Sequence, residues 1–283
     1  MSETPFPPKN DTELHTWPPE IDMSTPSVAR GYDALLGGKD NFEVDRQAME
    51  QLKQAAPECE WMAHSNRGFL GRAVDMVARS GVRQFLDLGS GLPTAENTHE
   101  IAQRVDAGAR VVYVDNDPIV LAHGRALLAS DPETTTVLSA DLCDIETVLN
   151  DTETRRLIDF DQPVCIMIVS LLHCLPDEAD PFGVIARYMD RVPTGSYLVF
   201  SHIVSDDAAA AQRFTDIVHG FGTPWGRVRS PEEAERVFEG LQVLEPGVVE
   251  ASTWRNGDIP PSSRPRQDDK KLWEHAGVAR KEG

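Results

Sequence analysis

The chain is short of positive charge. Its 27 Lys and Arg stand against 46 Asp and Glu, a formal net charge of −19 over 283 residues. Phosphate contacts need clustered Lys and Arg, so this balance argues against a nucleic-acid partner and suits a neutral or cationic ligand. Long apolar runs are also missing. None approaches the ~20 residues that span a bilayer, and the N-terminus lacks the basic-then-apolar pattern of an export signal. A cytoplasmic protein with no membrane partner is expected. Cysteine is scarce: Cys59, Cys143, Cys165 and Cys174 lack the paired spacing of a metal site, so reduced thiols and no metal are expected. No internal repeat is seen. The 40% apolar content suffices for the core of one large domain or a domain with an added piece.

The rest of the chain is arranged around Gln84-Phe-Leu-Asp-Leu-Gly-Ser-Gly-Leu-Pro-Thr94. Phe85, Leu86 and Leu88 form a short apolar run, the pattern of a strand buried on both faces. Gly89, Ser90 and Gly91 make a tight turn, and Thr94 opens a helical pattern with Ile101, Ala102 and Val105 on one face. Strand, glycine turn and helix let backbone amides approach a ligand closely. A dinucleotide fingerprint needs a third glycine where Thr94 stands. Asp87 would repel a pyrophosphate but can accept hydrogen bonds from an ammonium. The pattern favours S-adenosylmethionine (SAM) over an NAD-like ligand, with a bare structural turn as the remaining reading.

Two more strand ends add to it. Arg110-Val-Val-Tyr-Val-Asp115 reads as a buried strand whose terminal Asp115 is placed to take both hydroxyls of a ribose, with Asn116 beside it. Asp117-Pro118 starts a helix as N-cap and first helical residue. Val137-Leu-Ser-Ala-Asp141-Leu142 is a short strand ending in a carboxylate. Asp141 can accept from an adenine amino group while the Leu142 amide donates to the ring; alternatively, Asp141 or Asp144 caps the next helix.

The order Asp-x-Gly-x-Gly, acidic second strand end and Ala-Asp-Leu after the third resembles class I SAM-dependent methyltransferases. The chain is more closely similar to an actinobacterial SAM-dependent methyltransferase family long catalogued as a domain of unknown function. The likeness rests on Pro26-Ser-Val-Ala-Arg-Gly-Tyr-Asp-Ala-Leu-Leu-Gly-Gly-Lys-Asp-Asn-Phe42, Asn66-Arg-Gly-Phe-Leu70, the Gln84–His99 stretch and Val111-Val-Tyr-Val-Asp-Asn-Asp-Pro118. It implies an α/β, Rossmann-like sandwich with a mostly parallel seven-stranded sheet, an antiparallel last strand and SAM as cofactor. It does not imply a substrate.

Three regions are expected: a flexible tail over residues 1–24, a helical segment over 25–60 and the SAM-binding domain over 61–283. Gly37-Gly38, beside Tyr32, Lys39 and Asn41, breaks the helical segment. It reads either as a packed hairpin or as a lid over SAM or substrate, and such lids are common in the methyltransferases that the chain resembles. Arg67, early in the helix over Trp61–Ser80, can reach the SAM carboxylate or stay solvated. Val164–Val169 reads as the central fourth strand, delivering Ser170 and His173 to the sheet edge. Leu172-His-Cys-Leu-Pro-Asp177 resembles the Leu-His-x-Leu-Pro-Asp segment of small-molecule methyltransferases, with His173 either a general base or a structural contact. His202 is expected at the end of the fifth strand. Phe221 and Trp225 are the candidates for an aromatic wall around a substrate. A sixth strand from Leu241, a polar link over Asp258–Lys271 and a strand through Gly277–Arg280 would form the terminal hairpin. The function expected is methyl transfer from SAM to a small molecule. The alternatives are a SAM-binding protein without transferase activity and an NAD(P)-dependent oxidoreductase.

Overall fold

In the computed structural model, which describes residues 21–94, 96–128, 132–256 and 271–283, β1 (Gln84–Leu88) lies inside the sheet and is buried throughout. That double burial explains why its sequence lacks polar–apolar alternation. The helices and strands follow the chain as α1 (Val28–Leu35), α2 (Glu43–Ala55), α3 (Cys59–Arg79), β1, α4 (Thr98–Val105), β2 (Arg110–Asp115), α5 (Pro118–Leu128) and β3 (Thr135–Ser139). Then come α6 (Ile145–Asn150), α7 (Thr152–Leu157), β4 (Cys165–Val169), α8 (Pro181–Asp190), β5 (Tyr197–Val204), α9 (Ala208–Gly220) and α10 (Pro231–Glu235). Strands β6 (Gln242–Val243), β7 (Val249–Glu250) and β8 (Trp273–Arg280) close the sheet.

The strand order is β3-β2-β1-β4-β5-β8-β6, with β7 also on β8. Strands β1 to β5 are parallel, and β8 runs antiparallel to β5. This is the class I methyltransferase arrangement. Helices α3 and α4 cover one face through Phe69, Val74, Val77 and Ile101. Helices α6, α7 and α8 cover the other through Val148, Leu157 and Ile185. Each βα crossover places its helix on a face and leaves the carboxyl edge of the sheet open.

Helices α1 and α2 pack over that edge rather than on a face. Leu35 and Leu52 join Met62 at the start of α3 and Phe214 and Val218 of α9 in a separate apolar cluster. An ion pair ties the two helices together: Arg30 Nε donates to Asp45 Oδ2 at 2.7 Å, and both side chains are almost fully buried. Asp45 also accepts from the backbone amides of Ser27 and Phe42, so its charge is well satisfied.

Three expectations need correction. The helix after the glycine turn begins at Thr98, not Thr94: the Asn97 amide donates to Glu100 Oε2 at 2.7 Å, and Asn97 Oδ1 accepts from the Thr94 amide at 3.0 Å, which holds Thr94 outside the helix. The sixth strand is split into β6 and β7, two short pieces that both pair with β8. Between them the chain makes a turn, with the Gly247 amide donating to the Leu244 carbonyl, and then resumes in the same direction along β8. Strand β5 runs on to Val204, so His202 lies inside it. The tail through residue 20 and the polar link over 258–270 lie outside the described residues.

Candidate active site

The strand order reverses between β1 and β4, and a cavity of about 470 Å³ opens at their carboxyl ends. Ligands of α/β sheets bind at such a switch point. Gly89, Ser90 and Gly91 form part of its wall. Gly89 and Gly91 have φ of 69° and 65°, a region that L side chains avoid. A Cβ on Gly89 would lie 2.2 Å from Leu171 Cδ2, whereas one on Gly91 would meet nothing within 4 Å. The turn therefore packs on the loop after β4 with one glycine and leaves open space at the other.

Asp115 holds this turn. Its Oδ2 accepts from the Gly91 amide and its Oδ1 from the Asp117 amide, each at 2.9 Å. Asp87 is buried at the end of β1 and accepts from Thr98 Oγ1 at 2.7 Å. Burial pushes the Asp87 carboxyl up to about 6, the Thr98 hydroxyl and the Arg67 charge oppose that, and the Asp115 charge adds to it. Burial likewise raises Asp115, against hydrogen bonds from the Asp117 and Gly91 amides. Two desolvated carboxylates beside one cavity are relieved by a cationic ligand and aggravated by an anionic one.

Asn116, Asp141, Leu142, Ser170 and Arg67 line the same cavity. Asp141 is exposed at its rim and accepts from the Cys143 amide at 2.8 Å, while the cap of α6 is Asp144. Arg67 is half-buried and donates to the Glu96 carbonyl at 3.0 Å. Ser170 has φ of 55°, an uncommon conformation for a residue with a side chain. Its amide donates to Ser201 Oγ at 2.9 Å, and its hydroxyl donates to Glu274 Oε1 at 2.5 Å.

A second, mostly apolar chamber of about 80 Å³ adjoins the first and shares the wall formed by Pro26–Val28, Tyr32, Ser170 and Thr223. Helix α2 contributes Met49 and Leu52, and α9 contributes Phe214 and Val218. Phe221 and Trp225 line it too, as do His173 and Glu274.

A family description, S-adenosyl methyltransferase, matches residues 14–282. The chain belongs to that family. Its structure is similar to that of a protein of Thermobifida fusca YX provisionally named a methyltransferase, with 44% identity, 95% of this chain and 100% of that one covered, and a TM-score of 0.86. It is also similar to a DUF574 family protein from Streptomyces avermitilis MA-4680, with 37% identity, 92% and 99% covered, and a TM-score of 0.83. No curated protein matches the sequence.

S-adenosylmethionine is the cofactor of this S-adenosyl methyltransferase family, and the crevice fits it. The open side of Gly91 offers backbone approach, and Asp87 and Asp115 suit a ligand carrying a sulfonium and an ammonium. The volume falls within the roughly 300–1,000 Å³ of small-molecule sites. Among the described residues no group of three His, Cys, Asp or Glu could hold a metal ion, and no helix is long and apolar enough to cross a membrane.

Several residues expected at a methyltransferase site lie elsewhere. Lys39 is exposed and lines neither chamber. Asn41 is buried, but its amide donates to Asp33 Oδ2 and to the Gly38 carbonyl, so it holds the Gly37-Gly38 turn. His202 is fully buried within β5, opposite His275 of β8, and lines neither chamber, because the strand continues past it. Of the expected lid residues, only Tyr32 reaches both chambers.

His173 lines the apolar chamber but is not equipped as a base. Its Nδ1 accepts from the Ile203 amide at 3.2 Å, so the neutral ring carries its proton on Nε2. Burial, with the nearby Arg229 charge, lowers its proton affinity to about 3. It can donate a hydrogen bond, and its ring packs on Trp225 at 4.7 Å.

Sequence reasoning missed Glu274, Asn66 and Ser201. Ser201 Oγ donates to Asn66 Oδ1 at 2.6 Å, and Asn66 Nδ2 donates to Tyr32 Oη at 2.9 Å. With the Ser170 bonds, a buried hydrogen-bonded chain runs from Tyr32 of α1 to Glu274 of β8. The signals were an Asn inside the apolar face of α3 and a Glu inside an otherwise buried strand.

Proposed function

We propose that the protein transfers the methyl group of SAM to a small-molecule acceptor. The observation that carries this reading is one crevice, walled by Asp87, Gly91 and Asp115, that shares Ser170 with an apolar chamber. Bound SAM supplies an electrophilic methyl group on a sulfonium. In this reading Gly89, Ser90 and Gly91 face its amino-acid tail, Asp87 takes the ammonium side, and Arg67 takes the carboxylate. Asp115 and Asn116 hold the ribose, and Asp141 with the Leu142 amide holds the adenine. Ser170 borders the place where methyl and acceptor meet.

Transfer is an in-line displacement, so the chain's task is to align the acceptor and exclude water. The chamber suits that task because helices α1, α2 and α9 enclose it. Its small volume and apolar lining favour a compact organic group over a protein side chain on a folded partner. Such a chamber also favours an enzyme over a SAM sensor, which would have no use for one. The paired carboxylates count against NAD(P), whose pyrophosphate they would repel.

Calorimetry with SAM, S-adenosylhomocysteine and NAD tests the assignment. Micromolar binding of SAM is expected, with no heat from NAD. Asp115→Ala should weaken SAM by about tenfold or more, through loss of a charged acceptor and of the bond that holds Gly91. Unchanged affinity in that variant would refute the ribose assignment. Transfer itself is tested with SAM carrying a labelled methyl group and cell extract as the acceptor source; label recovered only in SAM would support the sensor reading.

A further inference from the structure

Among the described residues, two side chains that line the apolar chamber have incomplete polar bonding: Trp225, whose Nε1 has no acceptor, and Glu274, which is the acid of the pair. Glu274 is 2% exposed, Ser170 donates to its Oε1, and its Oε2 is buried with no hydrogen-bond partner. A buried carboxyl oxygen without a partner is costly to leave so. A ligand that donates to it removes the cost. We infer that the chamber is the acceptor subsite and that Glu274 is a catalytic residue that receives the proton of a hydroxyl group on a small, mostly apolar acceptor. This rests on the methyltransferase reading above.

The surroundings favour that chemistry. No Lys or Arg lines the chamber, so a carboxylate or phosphate on this part of the acceptor would find no counter-charge. The titratable groups that share the chamber with Glu274 are Tyr32 from α1, Cys59 from α3 and His173 from the loop after β4; Cys174, on that same loop, also feels its charge. Burial raises the phenol and both thiols, and it keeps the imidazole neutral. None of them is an alternative proton acceptor near neutrality. Burial also pushes Glu274 up to about 8, only partly opposed by the Ser170 hydroxyl, which suits a base working near that pH.

In the step inferred, the hydroxyl oxygen forms a bond to the methyl carbon as the carbon–sulfur bond breaks. Sulfur keeps the electron pair of the broken bond and becomes a neutral thioether. The hydroxyl proton passes to the free oxygen of Glu274, and the product is a methyl ether. Ser170, which lies on the wall shared with the cofactor crevice, fixes the other carboxyl oxygen.

Phenol, toluene and aniline serve as probes, titrated at pH 9 into protein saturated with S-adenosylhomocysteine. Phenol is expected to bind about tenfold or more tighter than toluene, and Glu274→Leu to abolish that preference. Glu274→Gln keeps the shape of the side chain and cannot take a proton. It should leave S-adenosylhomocysteine affinity within about twofold and lower phenol methylation by about a hundredfold or more, the usual range for a lost base. An infrared carboxylic-acid band that disappears between pH 7 and 9 in wild type and is absent from Glu274→Gln would support the assignment independently of turnover. Equal binding of phenol and toluene to wild type, a preference that survives Glu274→Leu, or methylation of aniline in place of phenol would overturn it. If S-adenosylhomocysteine itself fails to bind wild type, the methyltransferase reading falls first.

Discussion

The two chambers are built in opposite ways. The cofactor crevice takes its groups from consecutive strand ends, where Asp87, Asp115 and Asp141 follow one another at βα spacing. It is the more polar of the two, and its Asp115 and Asp141 are already engaged with backbone amides. The apolar chamber draws side chains from α1, α2, α3, α9, the loop after β4 and β8, residues far apart in the chain. It is apolar, and its one buried acid has a free oxygen. The first kind of site is a local pattern repeated along a fold, whereas the second exists only after the fold has closed.

The widest break in that contrast comes from the Arg30–Asp45 pair, which holds the helices bordering both chambers. Asp45→Ala leaves Arg30 buried and uncompensated, and should cost about 3–5 kcal/mol. Denaturant unfolding reads the loss, and SAM and phenol binding should weaken together.

The next effect touches the apolar chamber alone. Glu274 holds its proton more tightly in the folded state, at about 8 against an ordinary 4.5. Its contribution to stability is therefore complete below about pH 4.5 and is lost as pH rises to about 8. Glu274→Gln lacks that slope. Melting curves at pH 5 and pH 9 should show the variant gaining on wild type by on the order of a few kcal/mol at the higher pH.

Gly89→Ala touches the crevice alone. Its positive φ and the approach of Leu171 should together cost about 1–3 kcal/mol and weaken SAM by about tenfold, as read by calorimetry. Phenol binding should change little. The smallest effect is a pH effect on the same crevice. Because Asp87 takes up its proton near pH 6, SAM affinity should fall severalfold between pH 7 and pH 5. A flat profile would remove Asp87 from the ammonium side.

This contrast also explains what was legible beforehand. Strands β1, β2 and β4 announced themselves as apolar runs, and Asp117-Pro118 marked the helix start where α5 begins. The three carboxylates of the crevice could be listed because each ends or follows a recognisable strand. The start of this helix at Thr98 was harder, since the helical pattern could be extended back to Thr94. His173 could be read as a general base or as a structural contact, and only the Ile203 amide reveals that its Nδ1 lone pair is taken. Glu274 was hidden by topology: its importance depends on β8 lying beside β5, which brings it to Ser170 across 104 positions of chain.

Pro26–Val28 and Tyr32 belong to the walls of both chambers. Two guests that lean on one partition cannot be independent. Whichever arrives first fixes the partition and spares the second part of the ordering cost, and the favour is returned in equal measure. After turnover, a demethylated nucleoside and an alkylated product would each help to retain the other. Departure, rather than bond-making, would then govern the pace of the cycle.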